Sequence, residues 1–122
     1  MKILICGGRD LNELLVTDWL KKKFLVLFPE AHQIIEGGAR GADHGAKRFC
    51  LETRFPCRTF QADWKRHGMS AGPLRNKQML LEGFPDAVLA FPGGVGTEHM
   101  KRISRKAKIP VYEISTEELN DR

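Results

Sequence analysis

Apolar residues along this chain fall into two kinds of pattern. Short segments that contain apolar residues, most continuous at Ala87–Phe91, occur at Lys2–Cys6, Gln33–Glu36, Cys57–Phe60, Ala87–Phe91 and Val111–Ile114. Runs of this length bounded by turn residues read as strands buried on both faces. Between them, apolar positions recur at helical spacing. From about Asn12 to Phe28 the repeat is carried by Leu15, Trp19, Leu20 and Leu27, and Pro29 closes the segment. Further helices are expected from Ala42 to Thr53, from Pro73 to about Glu82, and from the turn after Phe91 to about Ala107. Pro73 suits a first helical position, Gly83 a helix stop, and Pro110 parts the last long helix from the last strand. Gln61–Gly72 reads as a loop and Thr116–Leu119 as a short terminal turn. Strict alternation of strand and helix predicts an α/β fold, a three-layer sandwich in which a five-stranded parallel sheet carries helices on both faces. Right-handed crossovers leave few strand orders, and 3-2-1-4-5 is the expected one. The chain then reverses direction between strands 1 and 4, and ligands in such sheets bind at the carboxyl ends of the strands beside that switch point.

Glycine clusters follow three of those strands. Gly7-Gly8-Arg9 follows strand 1, Gly37-Gly38-Ala39-Arg40-Gly41 follows strand 2, and Pro92-Gly93-Gly94-Val95-Gly96-Thr97 follows strand 4. A strand, a glycine turn and a helix start together form an anion site. The backbone can approach a phosphate closely, and the free N–H groups of the first helical turn point at it. Three such turns predict one shared pocket. GxGxxG is absent, so the usual dinucleotide fingerprint is not met.

Several side chains near these turns have two readings. Arg9 clamps a phosphate or pairs with Asp10. Arg40 is flanked by small residues that leave room for a ligand. Asp43, in the first turn of its helix, either complements the helix dipole or accepts ribose hydroxyls. Trp64, among Asp63, Lys65, Arg66 and His67, either stacks on a base or belongs to the core, and His67 is expected in solvent. Arg75 and Asn76 lie early in a helix that can reach the pocket mouth, whereas Met79 and Leu80 are expected to pack.

The 122 residues suffice for a single domain with its own core, and 42% hydrophobic with 29% charged residues is an ordinary globular composition. No apolar run approaches the roughly 20 residues that span a bilayer. The first strand begins within two residues of the start without a signal-peptide pattern, so a cytoplasmic location is expected. Three cysteines, Cys6, Cys50 and Cys57, lack CxxC spacing, which argues for free thiols and against a zinc site or any other metal. The net charge of +5 is concentrated in Lys21-Lys22-Lys23 and in Lys101, Arg102, Arg105, Lys106 and Lys108. Such clusters are solvated helix faces or a field that attracts phosphorylated ligands or nucleic acid.

Five motifs taken in order carry a family resemblance. Gly7-Gly8-Arg9-Asp10, Gly37 to Asp43, Ala62-Asp63-Trp64, Ala71-Gly72-Pro73 with Arg75-Asn76 and Met79, and Pro92-Gly93-Gly94 with Gly96-Thr97 resemble the YspA-like branch of the SLOG superfamily over about residues 2–112. The resemblance implies a Rossmann-like nucleotide-binding domain over 1–122, related to the Lonely Guy phosphoribohydrolases and to DNA-processing proteins. The Lonely Guy motif reads PGGxGTxxE, and its last glutamate serves in N-glycosidic cleavage. Pro92 to Thr97 match, but Met100 stands where the glutamate would be. A thioether cannot act as a general acid or base.

The expected function is therefore binding, as sensor or sequestering protein, of a nucleotide-derived molecule such as a nucleoside phosphate, ADP-ribose or a cyclic relative, with no resident cofactor. Backbone amides of Gly94 to Thr97 would hold the phosphate, Arg9, Arg40 and Arg75 would neutralise it, Asp43 would take ribose hydroxyls and Trp64 a base. The alternatives are a nucleotide N-glycosidase using Asp43, Glu98 or His99 as the acid, and a single-strand nucleic-acid module using Trp64 and Lys101 to Lys108. A homo-oligomer pairing through the Pro73–Glu82 helix, which carries Leu74, Met79, Leu80 and Leu81, is also expected.

Overall fold

The computed structural model of the chain describes residues 1–121. Its strands are β1 (Lys2–Cys6), β2 (Gln33–Glu36), β3 (Cys57–Thr59), β4 (Ala87–Ala90) and β5 (Val111–Glu113). They form one parallel sheet in the order β3-β2-β1-β4-β5. β1 is central, with Ile3 beside both Ile34 of β2 and Ala87 of β4. The expected order and the switch point between β1 and β4 are both present.

The helices are α1 (Glu13–Leu27), α2 (Ala42–Thr53), α3 (Trp64–His67), α4 (Ala71–Gly83), α5 (Val95–Lys106) and α6 (Thr116–Asn120). Successive strand side chains point to opposite faces, so β1 feeds two cores. Ile3 and Ile5 meet Val16, Trp19, Leu20 and Phe24 of α1, Ala46 and Phe49 of α2, and Leu119 of α6. Leu4 and Cys6 meet Met79 of α4 and Met100 of α5. The result is the three-layer Rossmann-like sandwich, with α1, α2 and α6 on one face and α4 and α5 on the other.

Helix ends follow local chemistry. The Asn12 side chain caps α1 by accepting from the N–H groups of Leu14 and Leu15, at 2.9 and 3.3 Å. Ser115 and Glu118 form a reciprocal capping box on α6.

Several details differ from the sequence reading. The segment 61–72 is not a plain loop, because Asp63 caps α3 and a 3₁₀ turn at Gly68–Ser70 leads straight into α4. α4 therefore starts at Ala71, and Pro73 is its third residue, still within the first turn, where no intrahelical N–H is lost. Gly83 is the last helical residue rather than the stop; Phe84 takes the left-handed conformation, with φ 51°. A methyl group at Gly83 would lie 3.1 Å from Ile35 Cδ1, so its smallness serves packing on the sheet. In α1, Leu27 is exposed, and Val16 and Phe24 complete the buried stripe instead.

Candidate functional site

The three glycine turns meet at the carboxyl edge of the sheet and interlock through their backbones. The Gly8 N–H donates to the Pro92 carbonyl at 2.8 Å, and the Gly8 carbonyl accepts from the Ala42 N–H at 3.2 Å. Gly7 sits between Ala42 and Phe91, and Gly93 lies against the Thr97 side chain. Gly41 has φ 75°, and a side chain there would drive into the Gly8 carbonyl oxygen. In this half of the site, close approach serves the packing of one backbone segment on another.

Gly94 and Gly96 are different. Both are exposed, and a methyl group at either would meet nothing within 4 Å. Gly94 is the N-cap of α5, and no side chain accepts from the first N–H groups of that helix. Thr97, three residues after Gly94, is buried.

The second turn is built on two buried carboxyl groups. Glu36, the fully buried last residue of β2, accepts from the Gly38 N–H at 2.6 Å and from the hydroxyl of Thr59, and Cys57 Sγ lies 3.6 Å from its second oxygen. These bonds hold Gly38 at φ 72°. Asp43 turns inward as well, and its carboxylate accepts from the Ala39 N–H at 3.1 Å. Burial pushes the Asp43 carboxyl up to about 7, against the opposing pull of the backbone N–H groups and Arg75. Asp43 thus shapes the turn and does not border the open cavity beside it. Sequence reasoning missed Glu36, whose signal was a lone charge directly after the apolar pair Ile34-Ile35.

That cavity, about 190 Å³, is bordered by Arg9, the stretch Gly37 to Arg40, Gln61, Ala62, Trp64 and Arg75. Gln61 is a second residue missed from sequence; its amide lies under Gly38. Arg9 forms no ion pair with Asp10 among the described residues. Its guanidinium lies over the Trp64 ring, 5.0 Å from the centroid. Trp64 is 46% exposed at the start of α3 and is not a core residue. Arg75 is anchored from α4, donating from Nη1 to the Gly37 carbonyl at 2.5 Å and from Nε to Asn76 Oδ1 at 3.1 Å. Burial is the main cause lowering the Arg75 pKa.

Asn76 links α4 to the start of α5. It is buried, and its Nδ2 donates to the Gly96 carbonyl at 3.3 Å and lies 3.0 Å from His99 Nδ1. Burial, then Arg102 and Lys77, lower the His99 pKa and favour the neutral ring. Met100 is 1% exposed and lies in the α4–α5 core against the sheet, not at the turn. The basic face of α5 is partly neutralised, since Lys101 pairs with Glu98 and Glu113, at 2.6 and 2.5 Å, and Arg105 with Glu113 at 2.9 Å. Burial pushes the Cys6 thiol up to about 12, so it stays protonated at neutral pH. No group of three His, Cys, Asp or Glu side chains suited to a metal occurs among the described residues. No helix among them is long and apolar enough to cross a membrane.

Comparison with known proteins places the chain in a family. A family model described as YAcAr, the YspA, cpYpsA-related SLOG family, matches residues 1–67, which hold the first two glycine turns, Glu36 and Trp64. The chain is also 45% identical over 118 residues to the Gene 61 protein of Mycobacterium phage D29, covering 90% of this chain and 93% of that protein.

Proposed function

Because the chain belongs to the YspA, cpYpsA-related SLOG family, whose members are linked to nucleotide-related binding or processing, we propose that it binds a nucleotide-derived small molecule. The ligand has phosphate and ribose parts, as in a nucleoside monophosphate, ADP-ribose or a cyclic relative, and the protein senses or sequesters it. The observation that carries this reading is the open N-terminus of α5. Gly94 and Gly96 face free space at the switch point, and no side chain caps the helix. A phosphate seated there would accept from the first N–H groups of α5 and gain from the helix dipole. The arginines on the neighbouring turns add charge of the required sign. Binding needs no residue to move a proton, which suits a site whose carboxyl groups, Glu36 and Asp43, are tied into the turn.

Gly94→Val tests the reading by calorimetric titration against nucleoside phosphates and ADP-ribose. A Cβ at this position meets nothing within 4 Å, so the fold is expected to survive. Affinity is expected to fall about tenfold or more, the equivalent of one good charge-assisted hydrogen bond. Unchanged affinity would remove this turn from the site.

A further inference from the structure

The arginine cavity is too small to hold the whole ligand. Its volume of about 190 Å³ falls below the roughly 300–1,000 Å³ of pockets that enclose a drug-sized molecule. Neither Gly94 nor any other residue of the Pro92–Thr97 turn borders it. It therefore receives one group of a ligand, at a place separate from the end of α5.

The lining says which group. Arg9, Arg40 and Arg75 border the cavity, and among the described residues no carboxylate does. The carboxyl groups of Glu36 and Asp43 lie behind the wall, and backbone N–H groups of the turn donate to both. Two of the five N–H donors of Arg75 are used in anchoring it, which leaves three on a guanidinium that is already held in place. Arg9 and Arg40 donate no hydrogen bond to the protein among the described residues. Arg9 contributes to lowering the Arg75 pKa, as expected of like charges brought together around an empty space. The face of Trp64 nearest Arg9 is covered by that guanidinium, so a base cannot stack there without displacing it.

We infer that the cavity seats a second anionic group of the ligand, a phosphate or diphosphate held between Arg9, Arg40 and Arg75, and that Trp64 supports Arg9 and does not stack on a nucleobase. Guanidinium forks match phosphate oxygens in geometry as well as in charge. The inference rests on the nucleotide reading above and narrows it to ligands that carry more than one phosphate.

The test titrates the full chain with pyrophosphate, ribose 5-phosphate, AMP, ADP-ribose and adenosine, following the emission of Trp64; Trp64→Phe identifies its share against the buried Trp19. Pyrophosphate is expected to change the Trp64 signal and to compete with ADP-ribose, while adenosine does neither. Arg40→Gln changes an exposed side chain that makes no internal bond, so its fold is expected to be intact, and pyrophosphate should bind it about tenfold or more weakly. The dependence of affinity on salt should flatten in parallel. Adenosine that alters Trp64 emission and displaces AMP would put the base in the cavity and overturn the inference, leaving the nucleotide reading in place. Pyrophosphate that fails to bind, or binds Arg40→Gln as well as the parent, overturns it too. Arginine-dependent pyrophosphate binding without affinity for any nucleotide would uphold the cavity assignment and defeat the nucleotide reading.

Discussion

Met100 and Asp43 show how one side chain decides what this site can do. Met100 stands where related phosphoribohydrolases carry an acid, and its side chain is sealed in the core with Leu4, Cys6 and Met79. Glu98 is exposed and paired with Lys101, and His99 is held by Asn76. We therefore expect no appreciable release of free base or ribose 5-phosphate from AMP or other nucleoside monophosphates. General acid–base help contributes about 10²–10⁴-fold in rate, and a cradle that binds substrate and transition state alike does not lower the barrier. Turnover near 1 s⁻¹ would refute this. Restoring the acid should not help, because Met100→Glu places a carboxyl group in an apolar core at a cost of about 2–4 kcal/mol. Met100→Leu, close in volume, should cost less than about 1.5 kcal/mol. Asp43 makes a pH prediction. Its folded pKa of about 7 exceeds its ordinary 3.8, so the folded state holds the proton more tightly. The corresponding stability is fully present below about 3.8 and is lost as pH rises through about 7, on the order of 4 kcal/mol in all. Urea unfolding of the parent and of Asp43→Asn should therefore diverge between about pH 4 and 7, the variant gaining relative to the parent as pH rises. A difference that stays constant over this range would show that Asp43 does not titrate there.

At the scale of elements, most strands and helices were legible because their apolar runs are short and bounded by glycine or proline, as at Ala87–Ala90 before Pro92. The segment 61–72 was not legible. Four residues of helix and a 3₁₀ turn are too short to show periodicity, and their order comes from the Asp63 cap and from Gly72 fitting beneath Trp64, 3.4 Å from where a methyl group would stand. The glycine turns were found from sequence, but their division of labour was not. Gly41 and Gly96 look alike in the sequence; only the crossing of the Gly8 backbone past Gly41 separates packing from exposure. Substitution should separate them experimentally. Gly41→Ala needs φ 75° and collides with the Gly8 carbonyl, so a loss of about 2–4 kcal/mol is expected, with the neighbouring turns loosened. Gly96→Ala lies in open space within α5 and should be neutral or gain up to about 1 kcal/mol, because alanine is the better helix former. Chemical denaturation of the two variants checks the contrast, and equal losses would mean that the turns share one structural role.

For the whole molecule, the parallel sheet followed from strict alternation of elements and its order was one of the few that right-handed crossovers leave, and together they bring glycine turns far apart in sequence to a single edge. The outer surface is less determined by such rules. α4 was expected to carry apolar surface beyond what the sheet could cover, and the structure divides it. Met79 is buried and Leu80 packs beside it, whereas Leu74 is 44% and Leu81 73% exposed, followed by Phe84 at 68%. Leu74 and Leu81 are seven residues apart and so lie on one helical stripe, clear of the α5 side that Asn76 faces. Leucines in solvent singly need no explanation, but a stripe ending in an exposed phenylalanine fits a patch that pairs with its own copy. We propose that the chain forms a homodimer through this stripe, leaving the cleft at the sheet edge open to the ligand. Light scattering at tens of micromolar should give about twice the chain's 13.8 kDa. Leu81→Glu should bring the mass to that of one chain while nucleotide affinity stays within about twofold, since the residue is exposed and lines no part of the arginine cavity. A monomeric parent would rule the dimer out, and a dimeric Leu81→Glu would move the contact to another face.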